Sequence, residues 1–429
     1  IITVKKCFKD RITSYKKMLS STFYVKTLIL LLCGVNFYLC AENVDVNPVD
    51  ESLDESLFTL TMNLQETKTS NDSSENLIFS PLGFSYLFGQ IAGGANPTLR
   101  DGIGKLLGWN TTNLTSIHER HDQLLKSYIK TSNDTDDTVE IRINSALFHR
   151  DFLEIHKDFQ NFLQKYYNSQ IIALAENATE SDNQEIVNNW VNNVTEGNIK
   201  DLPISANTIS LFANAMYFNA EWLEPFSDQL TRPGKFFVTP EKELNATYLM
   251  GQQEIFYMEN HELDFKMIRL PYISTQYNIS MYILSPQKHN LREISSQITL
   301  EKFLSYKSNM TMKTVNIKMP KLAIKSKIHL RNTLEKFMGN SSDDTGSNEK
   351  NFSLSKVSND SRAVLSDVIQ ESTFNVHEKG TTFAALSAGY INYDGTAKNC
   401  RVDKPYLAII LDEIENVLLF WASIYQPAL

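Results

Sequence analysis

The sequence predicts an α+β protein built as one large domain. Helix patterns and strand patterns alternate along its 429 residues, and no internal repeat or linker divides them. Hydrophobic residues make up 42% of the chain, which is enough for a sizeable core. The nearly continuous apolar run over residues 208–218 is typical of a central strand covered on both faces.

The N-terminal region predicts export. Residues 1–17 precede the first methionine and are interpreted as upstream read-through. Residues 18–41 have the layout of a signal peptide, with a short basic segment, a mostly apolar run and small residues for cleavage after Ala41. The apolar run is short for a membrane span, so a membrane anchor is the weaker interpretation. We expect a secreted, extracellular protein with no membrane partner.

After cleavage, residues 42–54 are predicted to form an acidic tail and residues 55–429 the folded domain. The leader carries seven Lys or Arg and one Asp, so its removal changes the net charge from −9 to −15. This charge argues against a nucleic-acid partner and against a heparin-type polyanion. Cys400 remains as the single cysteine of the mature chain, which excludes an intrachain disulfide, and we expect it to be buried.

Glycosylation sequons are unusually frequent and, with the leader, predict an extracellular glycoprotein. The candidate sites are Asn71, Asn110, Asn113, Asn133, Asn177, Asn193, Asn245, Asn278, Asn309, Asn340, Asn351 and Asn359.

The first half of the domain predicts helices around one short strand. Leucines at 57, 60 and 64 have helical spacing. The strand Asn76–Phe79 ends at Ser80, which suits an N-cap, and a buried helix follows to about Gly93. Asn96 repeats the cap signal for a helix that ends near Gly108. Residues 116–131 form an amphipathic helix whose basic residues, interrupted by acids, are interpreted as a solvated face.

Strands and helices then alternate. We expect a strand at 139–148, a helix lined by Phe159, Phe162, Tyr166 and Tyr167, and a helix that buries Val187, Trp190, Val191 and Val194. Asn214 interrupts the apolar run 208–218 and needs polar partners if it is buried. Further strands are predicted near 250, 270–272, 281–286 and 315–322, followed by a helix at 330–337. Residues 339–360 are rich in Asn, Ser and Asp and predict a solvated loop.

The segment after residue 365 is unusual. Ser372, Phe374 and Val376 fall on one face of a half-buried strand. After Gly380, residues 381–393 carry no charge and are mostly small. Such a segment is either an exposed loop or a strand that has not yet entered a sheet, and a second strand follows at 406–411.

Several motifs resemble those of the serpin family, in the family's order over residues 55–427. Residues 378–385 are similar to the hinge pattern E-x-G-T-x-A-A-A, and residues 402–406 to the D-H-P-F segment. The match at 214–226, NAMYFNAEWLEPF, is the strongest in the chain. Residues 76–81, 187–199 and 419–427 match further family patterns. Gly83 departs from the family, which usually has serine there.

The resemblance implies a serpin-type domain with a large central mixed sheet, additional smaller sheets, surrounding helices and an exposed reactive-centre loop at about 378–402. It implies a monomeric inhibitor that forms a covalent acyl complex with a target serine protease. Hinge residues are Glu378, Gly380, Thr381, Phe383, Ala384 and Ala385, and the sheet-opening region contains Ser80, Asn214 and Trp222. Family spacing from Gly380 places the scissile bond between Asp394 and Gly395, and a slip of one residue would place it after Tyr393.

Phe383 motivates the opposing hypothesis, a non-inhibitory serpin that acts as a ligand carrier, storage or chaperone-like protein. The family has alanine at this position, and a larger side chain commonly costs about 1–3 kcal/mol when it overpacks a core. No catalytic residues are predicted, because no nucleophile elbow or zinc-protease motif is present. The cysteines lack metal spacing, so neither a metal nor a cofactor is expected.

Overall fold

The computed structural model describes residues 51–69, 75–128, 138–195, 197, 202, 204–205, 207–338, 351–381 and 397–427. Helices are distributed along the whole of this part of the chain. They are α1 (Glu51–Thr69), α2 (Pro81–Gly94), α3 (Pro97–Leu107), α4 (Thr115–Tyr128), α5 (Lys157–Tyr167), α6 (Glu180–Val194), α7 (Leu291–Ser295), α8 (Leu300–Ser308) and α9 (Arg331–Met338). Within the described residues, no helix is both long and apolar enough to cross a membrane.

The strands belong to two sheets. They are β1 (Leu77–Phe79), β2 (Glu140–Arg150), β3 (Gln170–Leu174), β4 (Ser210–Glu221), β5 (Arg232–Phe237), β6 (Glu243–Asn260), β7 (Phe265–Pro271), β8 (Ile279–Pro286), β9 (Thr311–Pro320), β10 (Leu322–His329), β11 (Asp367–Val376), β12 (Gly380–Thr381), β13 (Lys398–Arg401), β14 (Tyr406–Asp412) and β15 (Val417–Ile424).

A six-stranded mixed sheet has the order β10-β11-β4-β2-β3, with β12 paired to β4. Its two middle strands, β11 and β4, run parallel to each other, whereas β10 and β2 pair antiparallel on either side. A nine-stranded sheet has the order β1-β15-β14-β8-β7-β6-β9-β13, with β5 paired to β6. The α+β class is therefore confirmed, with mixed sheets and surrounding helices.

Helix α2 lies in the core between the sheets. All but one of its residues are buried, and the Ser80 side chain caps its N-terminus by accepting a hydrogen bond from the backbone N–H of Gly83. Helix α6 covers the opposite face of the six-stranded sheet, where Trp190 packs edge-on against Phe148 of β2. The six-stranded sheet is thus buried on both faces at its centre.

Several local predictions are confirmed. Asn96 caps α3, and Gly108 ends that helix in a left-handed conformation. Ser372, Phe374 and Val376 are buried on β11 with the expected alternation. Cys400 is a free cysteine with a fully buried side chain.

Three sequence interpretations differ from the structure. Helix α1 begins at Glu51 and buries Leu53, so residues 51–54 are not tail. The basic face of α4 is not solvated, because His118, Arg120 and His121 are buried. The described part of the predicted loop 339–360, from residue 351 on, is packed. Its apolar residues do not recur with the spacing of a helix or a strand, so the sequence pattern did not indicate burial. Phe352, Leu354 and Val357 are nevertheless buried in the core.

Candidate functional site

The candidate site is the junction between the parallel strands β4 and β11. Their ladder runs from the pair Asp367–Leu211 to the pair Ser372–Met216 and ends there. Both strands continue beyond that point, β11 to Val376 and β4 to Glu221. The upper part of the junction is therefore not closed by direct pairing of the two strands.

A tight turn over residues 377–380, here called the hinge turn, occupies the upper end of the junction. The His377 backbone N–H donates to the Gly380 carbonyl at 3.0 Å, and the Gly380 N–H donates back at 3.3 Å. The chain then continues as β12, which pairs antiparallel with β4 through Gly380–Glu221 and Thr381–Ala220. The first residues after the turn thus already have the pairing that a strand inserted beside β4 would have.

Gly380 allows this close approach. Its φ is +154°, and a Cβ at this position would lie 2.1 Å from the Ala220 carbonyl oxygen and 2.6 Å from the Glu221 Cα. Both neighbours are backbone atoms of a paired strand and cannot move aside. Any side chain at position 380 is therefore incompatible with the β12–β4 pairing.

Trp222, at the end of β4, holds the hinge turn through its backbone and its indole. Its backbone N–H donates to the Lys379 carbonyl at 2.9 Å, and its indole Nε1–H donates to the His377 carbonyl at 3.0 Å. The indole also stacks on Tyr272, with ring centroids 4.5 Å apart. Trp222 was predicted to lie in the sheet-opening region, and its contacts lie at the hinge turn.

The Glu378 side chain is a second anchor. Its carboxylate accepts hydrogen bonds from Lys321 Nζ at 2.9 Å and from Thr231 Oγ1 at 2.8 Å. Burial by itself would raise the pKa of Glu378, but these bonds outweigh it and hold the pKa below its ordinary value. Glu378 is therefore ionised at neutral pH. It connects the hinge turn to Lys321, between β9 and β10, and to Thr231, directly before β5.

The lower part of the junction, where β4 and β11 pair directly, contains two buried amide side chains, Asn214 and Gln370. Gln370 of β11 accepts from the Ser80 backbone N–H at 2.6 Å and donates to the Ser80 carbonyl at 3.0 Å. Its cross-strand partner Asn214 donates from Nδ2 to the Asn144 carbonyl and to Ser145 Oγ. The Gln370 bonds join β11 to the N-terminus of α2, and the Asn214 bonds join β4 to β2. The sheet-opening roles of Ser80 and Asn214 stay predictions.

Gly83 leaves space for this cluster. A Cβ at position 83 would lie 2.5 Å from both Asn214 Oδ1 and Gln370 Nε2. Gln370 was missed in the sequence, although the alternation that includes Ser372 places it on the same buried face. The departure at Gly83 and the amide at 370 are thus two parts of one packing arrangement.

Comparison with known proteins agrees with this geometry. The family model described as serpin (serine protease inhibitor) matches residues 55–427. The chain belongs to the serpin family. A serine protease inhibitor of Cyanea capillata is 23% identical to this serpin, with 83% of this chain and 93% of the relative covered. Corticosteroid-binding globulin of Pongo abelii is 24% identical, with 82% and 85% covered.

Solved structures show the same fold. Human thyroxine-binding globulin in complex with thyroxine superposes with a TM-score of 0.78 at 20% identity, covering 89% of this serpin and all of that chain. Human glycosylated kallistatin gives a TM-score of 0.74 at 23% identity, with 88% and 97% covered.

Some of the remaining predicted site residues of this serpin lie outside the described part of the chain, and the others lie on its surface or are half-buried. Phe383, Ala384, Ala385, Tyr393, Asp394 and Gly395 lie outside the described residues, as do the sequons at Asn71, Asn133 and Asn340. Among the described sequons, Asn278 and Asn351 are half-buried. The exposed ones are Asn110, Asn113, Asn177, Asn193, Asn245, Asn309 and Asn359.

Proposed function

We propose that this serpin inhibits a serine protease as a suicide substrate whose cleaved loop inserts between β4 and β11. The observation that carries the proposal is the antiparallel pairing of β12 with β4 directly after the hinge turn. An inserting strand needs a start in the correct direction and a junction that can open. The upper parts of β4 and β11, which are not paired with each other, supply the second requirement.

The chemical step is ordinary acyl transfer. The serine oxygen of the protease attacks the carbonyl carbon of Asp394, the bond to the nitrogen of Gly395 breaks, and the proton lost by the serine hydroxyl is transferred to that nitrogen. The new amine leaves with the C-terminal segment, which stays in the fold through β13, β14 and β15, and the Asp394 acyl group remains on the protease as an ester. Cleavage after Tyr393 would follow the same steps.

The register of β12 predicts how far insertion carries the acyl group. Gly380 pairs with Glu221 and Thr381 with Ala220, so each further residue of the inserting strand would pair with the preceding residue of β4. In this register, Ile391 would lie opposite Ser210, the first residue of β4. Ten residues of antiparallel strand beyond Thr381 span roughly 34 Å. Asp394 would therefore end just past the opposite end of the sheet, taking the bound protease with it.

The same register gives the orientation of the inserted side chains. Phe383 would lie opposite Phe218 and between it and Phe374 of β11, since directly paired residues share a face. Phe218 and Phe374 both contact Phe420 beneath the sheet. Phe383 thus faces the core in the inserted state, where it must displace or join this aromatic group.

A ligand carrier is the second candidate, because two relatives bear the names of hormone-binding globulins. Carriage of an apolar hormone requires an apolar cavity. Between α1, α8 and the nine-stranded sheet, the described interior is filled by Phe58, Phe303 and Tyr282 in ring contact. The cavity between α5, β2, β3 and α6 does not suit an apolar ligand either, since eight of its eleven lining residues have an amide or hydroxyl side chain. These observations favour the inhibitor.

We further infer a secreted, monomeric glycoprotein. The exposed sequons at seven described positions support glycosylation. Enzymatic removal of N-linked glycans from protein secreted by a eukaryotic host, followed by peptide mass spectrometry, should reveal Asn-to-Asp conversion at several of them. Conversion at none would contradict this inference.

Inhibition is tested by incubating the mature protein with elastase-like, chymotrypsin-like, trypsin-like and Asp-directed serine proteases. We expect an SDS-resistant band at the summed mass and, on mass spectrometry, a C-terminal fragment that starts at Gly395. A fragment starting at Asp394 would assign the site to Tyr393. Complete loop cleavage without such a band for every protease would overturn the inhibitor proposal in favour of a non-inhibitory serpin.

A further inference from the structure

His377 is the first residue of the hinge turn, and its imidazole accepts a hydrogen bond inside that turn. The backbone N–H of Lys379 donates to Nδ1 of the ring at 3.3 Å. A ring nitrogen that accepts carries no proton, so the neutral ring has its proton on Nε2. The hinge turn therefore contains a hydrogen bond that exists only while His377 is neutral.

Three consecutive carbonyls hold the same turn against the chain that follows β4. The His377 carbonyl accepts from the Trp222 indole at 3.0 Å, and the Lys379 carbonyl accepts from the Trp222 backbone N–H at 2.9 Å. Between them, the Glu378 carbonyl accepts from the Phe226 N–H at 2.7 Å. The Lys379 N–H belongs to the same peptide unit as the Glu378 carbonyl. The imidazole thus fixes one end of the middle peptide unit, and Phe226 fixes the other.

Charged groups from every neighbouring segment act on the half-buried ring. Lys379 of the turn and Lys321, between β9 and β10, disfavour a positive ring, whereas Glu378 and Asp228, the latter just before β5, favour it. Burial has the largest effect, and the pKa of His377 is lowered below its ordinary value. A ring released into water binds a proton more readily, so the turn is fully held above pH about 6.5 and weakens as the pH falls.

We propose that His377 is a positioning residue that holds the hinge turn on β4 only while its ring is neutral. A proton taken up from solvent at Nδ1 places an N–H group opposite the Lys379 N–H, so the ring or the middle peptide unit must rotate away. Rotation of that unit carries the Glu378 carbonyl away from Phe226. β12 then loses the turn that aligns it with β4, and the cleaved loop begins insertion less often. This last consequence rests on the proposed function, whereas release of the turn does not.

Release of the turn is measured in the intact protein, without protease, as hydrogen exchange of the Trp222 indole N–H. The NMR signal is assigned with a Trp222→Phe variant. Trp222 is 2% exposed, so its indole N–H exchanges when the bond to the His377 carbonyl opens. His377→Asn keeps an acceptor for the Lys379 N–H, because asparagine side chains bond the backbone two residues on, and it does not titrate. We expect equal exchange in wild type and His377→Asn at pH 7. At pH 5 we expect roughly tenfold faster exchange in the wild type, since a donor that loses its partner destabilises its surroundings by this order.

Two further variants separate this role from a general effect of pH. His261→Asn, at an exposed histidine between β6 and β7, should behave like the wild type at both pH values. His377→Ala removes the acceptor at every pH, so we expect fast exchange at pH 7 already. The proposal is overturned if wild type and His377→Asn exchange equally at pH 5, or if His377→Ala exchanges as slowly as the wild type at pH 7.

The consequence for inhibition is measured separately, as the ratio of covalent complex to cleaved serpin at pH 7 and pH 5. We expect this ratio to fall more in the wild type than in His377→Asn, a comparison in which the effects of pH on the protease cancel. Equal falls would show that the turn does not limit insertion and would overturn that step. If the exchange results hold and no protease forms a complex, the proposed function fails while the role of His377 in the turn stands.

Discussion

In the proposed mechanism, single residues decide whether the junction between β4 and β11 can accept a strand. Gly380 lets β12 approach β4, Gly83 leaves room for two buried amides, and Phe383 sets the size of a side chain that would enter the core. In each case the limit is steric, because the neighbouring atoms belong to paired strands or to a hydrogen-bonded cluster.

Replacing Gly380 with alanine should impair inhibition. The added Cβ would clash with the Ala220 carbonyl oxygen, so β12 must separate from β4. The inserting strand would then lack the first two residue pairs with β4. We expect a lower ratio of covalent complex to cleaved serpin, measured by SDS gels at fixed protease concentration. Gly197→Ala is the control, since Gly197 also has a positive φ but a Cβ there would meet only Asn192 Oδ1, at an ordinary contact distance of 3.6 Å. An unchanged ratio for Gly380→Ala would refute the assigned role of the pairing.

Replacing Phe383 with alanine should have the opposite effect. The smaller side chain fits beside Phe218 and Phe374 without displacing them, so insertion becomes faster relative to hydrolysis of the acyl-enzyme. We expect more complex and less substrate-like cleavage. Leu386→Ala is the matched control, because its register places it on the opposite face of the inserted strand. If Phe383→Ala and the wild type give the same ratio, Phe383 is not an obstacle to insertion.

At the scale of one element, α4 shows how tertiary partners change the meaning of a sequence pattern. His118 Nδ1 lies 2.6 Å from the Tyr167 hydroxyl, and His121 Nε2 lies 2.8 Å from Ser85 Oγ. Arg120 pairs with Glu415 at 3.1 Å. The basic residues therefore face the core, because α2, α5 and the β14–β15 turn supply partners that the sequence of α4 does not reveal.

This burial predicts an acid-sensitive element. Burial, with a smaller contribution from Arg100, lowers the pKa of His118 from 6.5 to about 4. The unfolded chain thus binds more protons than the native protein between these values, and stability falls as the pH decreases from 6.5 towards 4. From the linkage relation, the loss attributable to His118 is about 3 kcal/mol.

His118→Asn should remove the part of this dependence that His118 contributes while keeping a polar partner for Tyr167, whereas the buried His121, whose pKa is also lowered by burial, keeps its own. We expect the free energy of unfolding, measured by urea denaturation at pH 7 and pH 4, to fall by less in the variant than in the wild type. The variant must be compared with the wild type because Asp412 also titrates in this range. Burial raises the pKa of Asp412 to about 6, so its protonation increases stability as the pH falls. His261→Asn, at an exposed histidine, serves as the control. Equal pH dependence in wild type and His118→Asn would contradict the prediction.

At the scale of the whole molecule, the proposed insertion would add one strand between β4 and β11. Cleavage of the loop by a non-target protease should let residues 381–391 enter between β4 and β11 and complete the sheet. We expect Tm to rise by roughly 10 °C or more, since each kcal/mol shifts Tm by about 2–4 °C in large domains. Calorimetry of intact and cleaved protein measures this. Cleaved Gly380→Ala should gain less, and an unchanged Tm after cleavage of the wild type would mean that the loop does not insert.

The sequence alone determined the features that depend on neighbouring residues. Ser80 and Asn96 cap their helices, β11 alternates, and the apolar run becomes the buried β4, because capping and periodicity act over a few positions. The family motifs extended this to the α+β serpin fold.

The tertiary structure alone decided which distant side chains meet. The cluster of Ser80, Gly83, Asn214 and Gln370 joins residues up to 290 positions apart, and the polar cavity beside β3 is lined by residues of two helices and two strands. The inward face of α4 and the packing of Phe352 likewise depend on partners elsewhere in the chain. A local pattern records the preference of a segment for helix or strand, whereas contacts between segments depend on how the sheets bring them together.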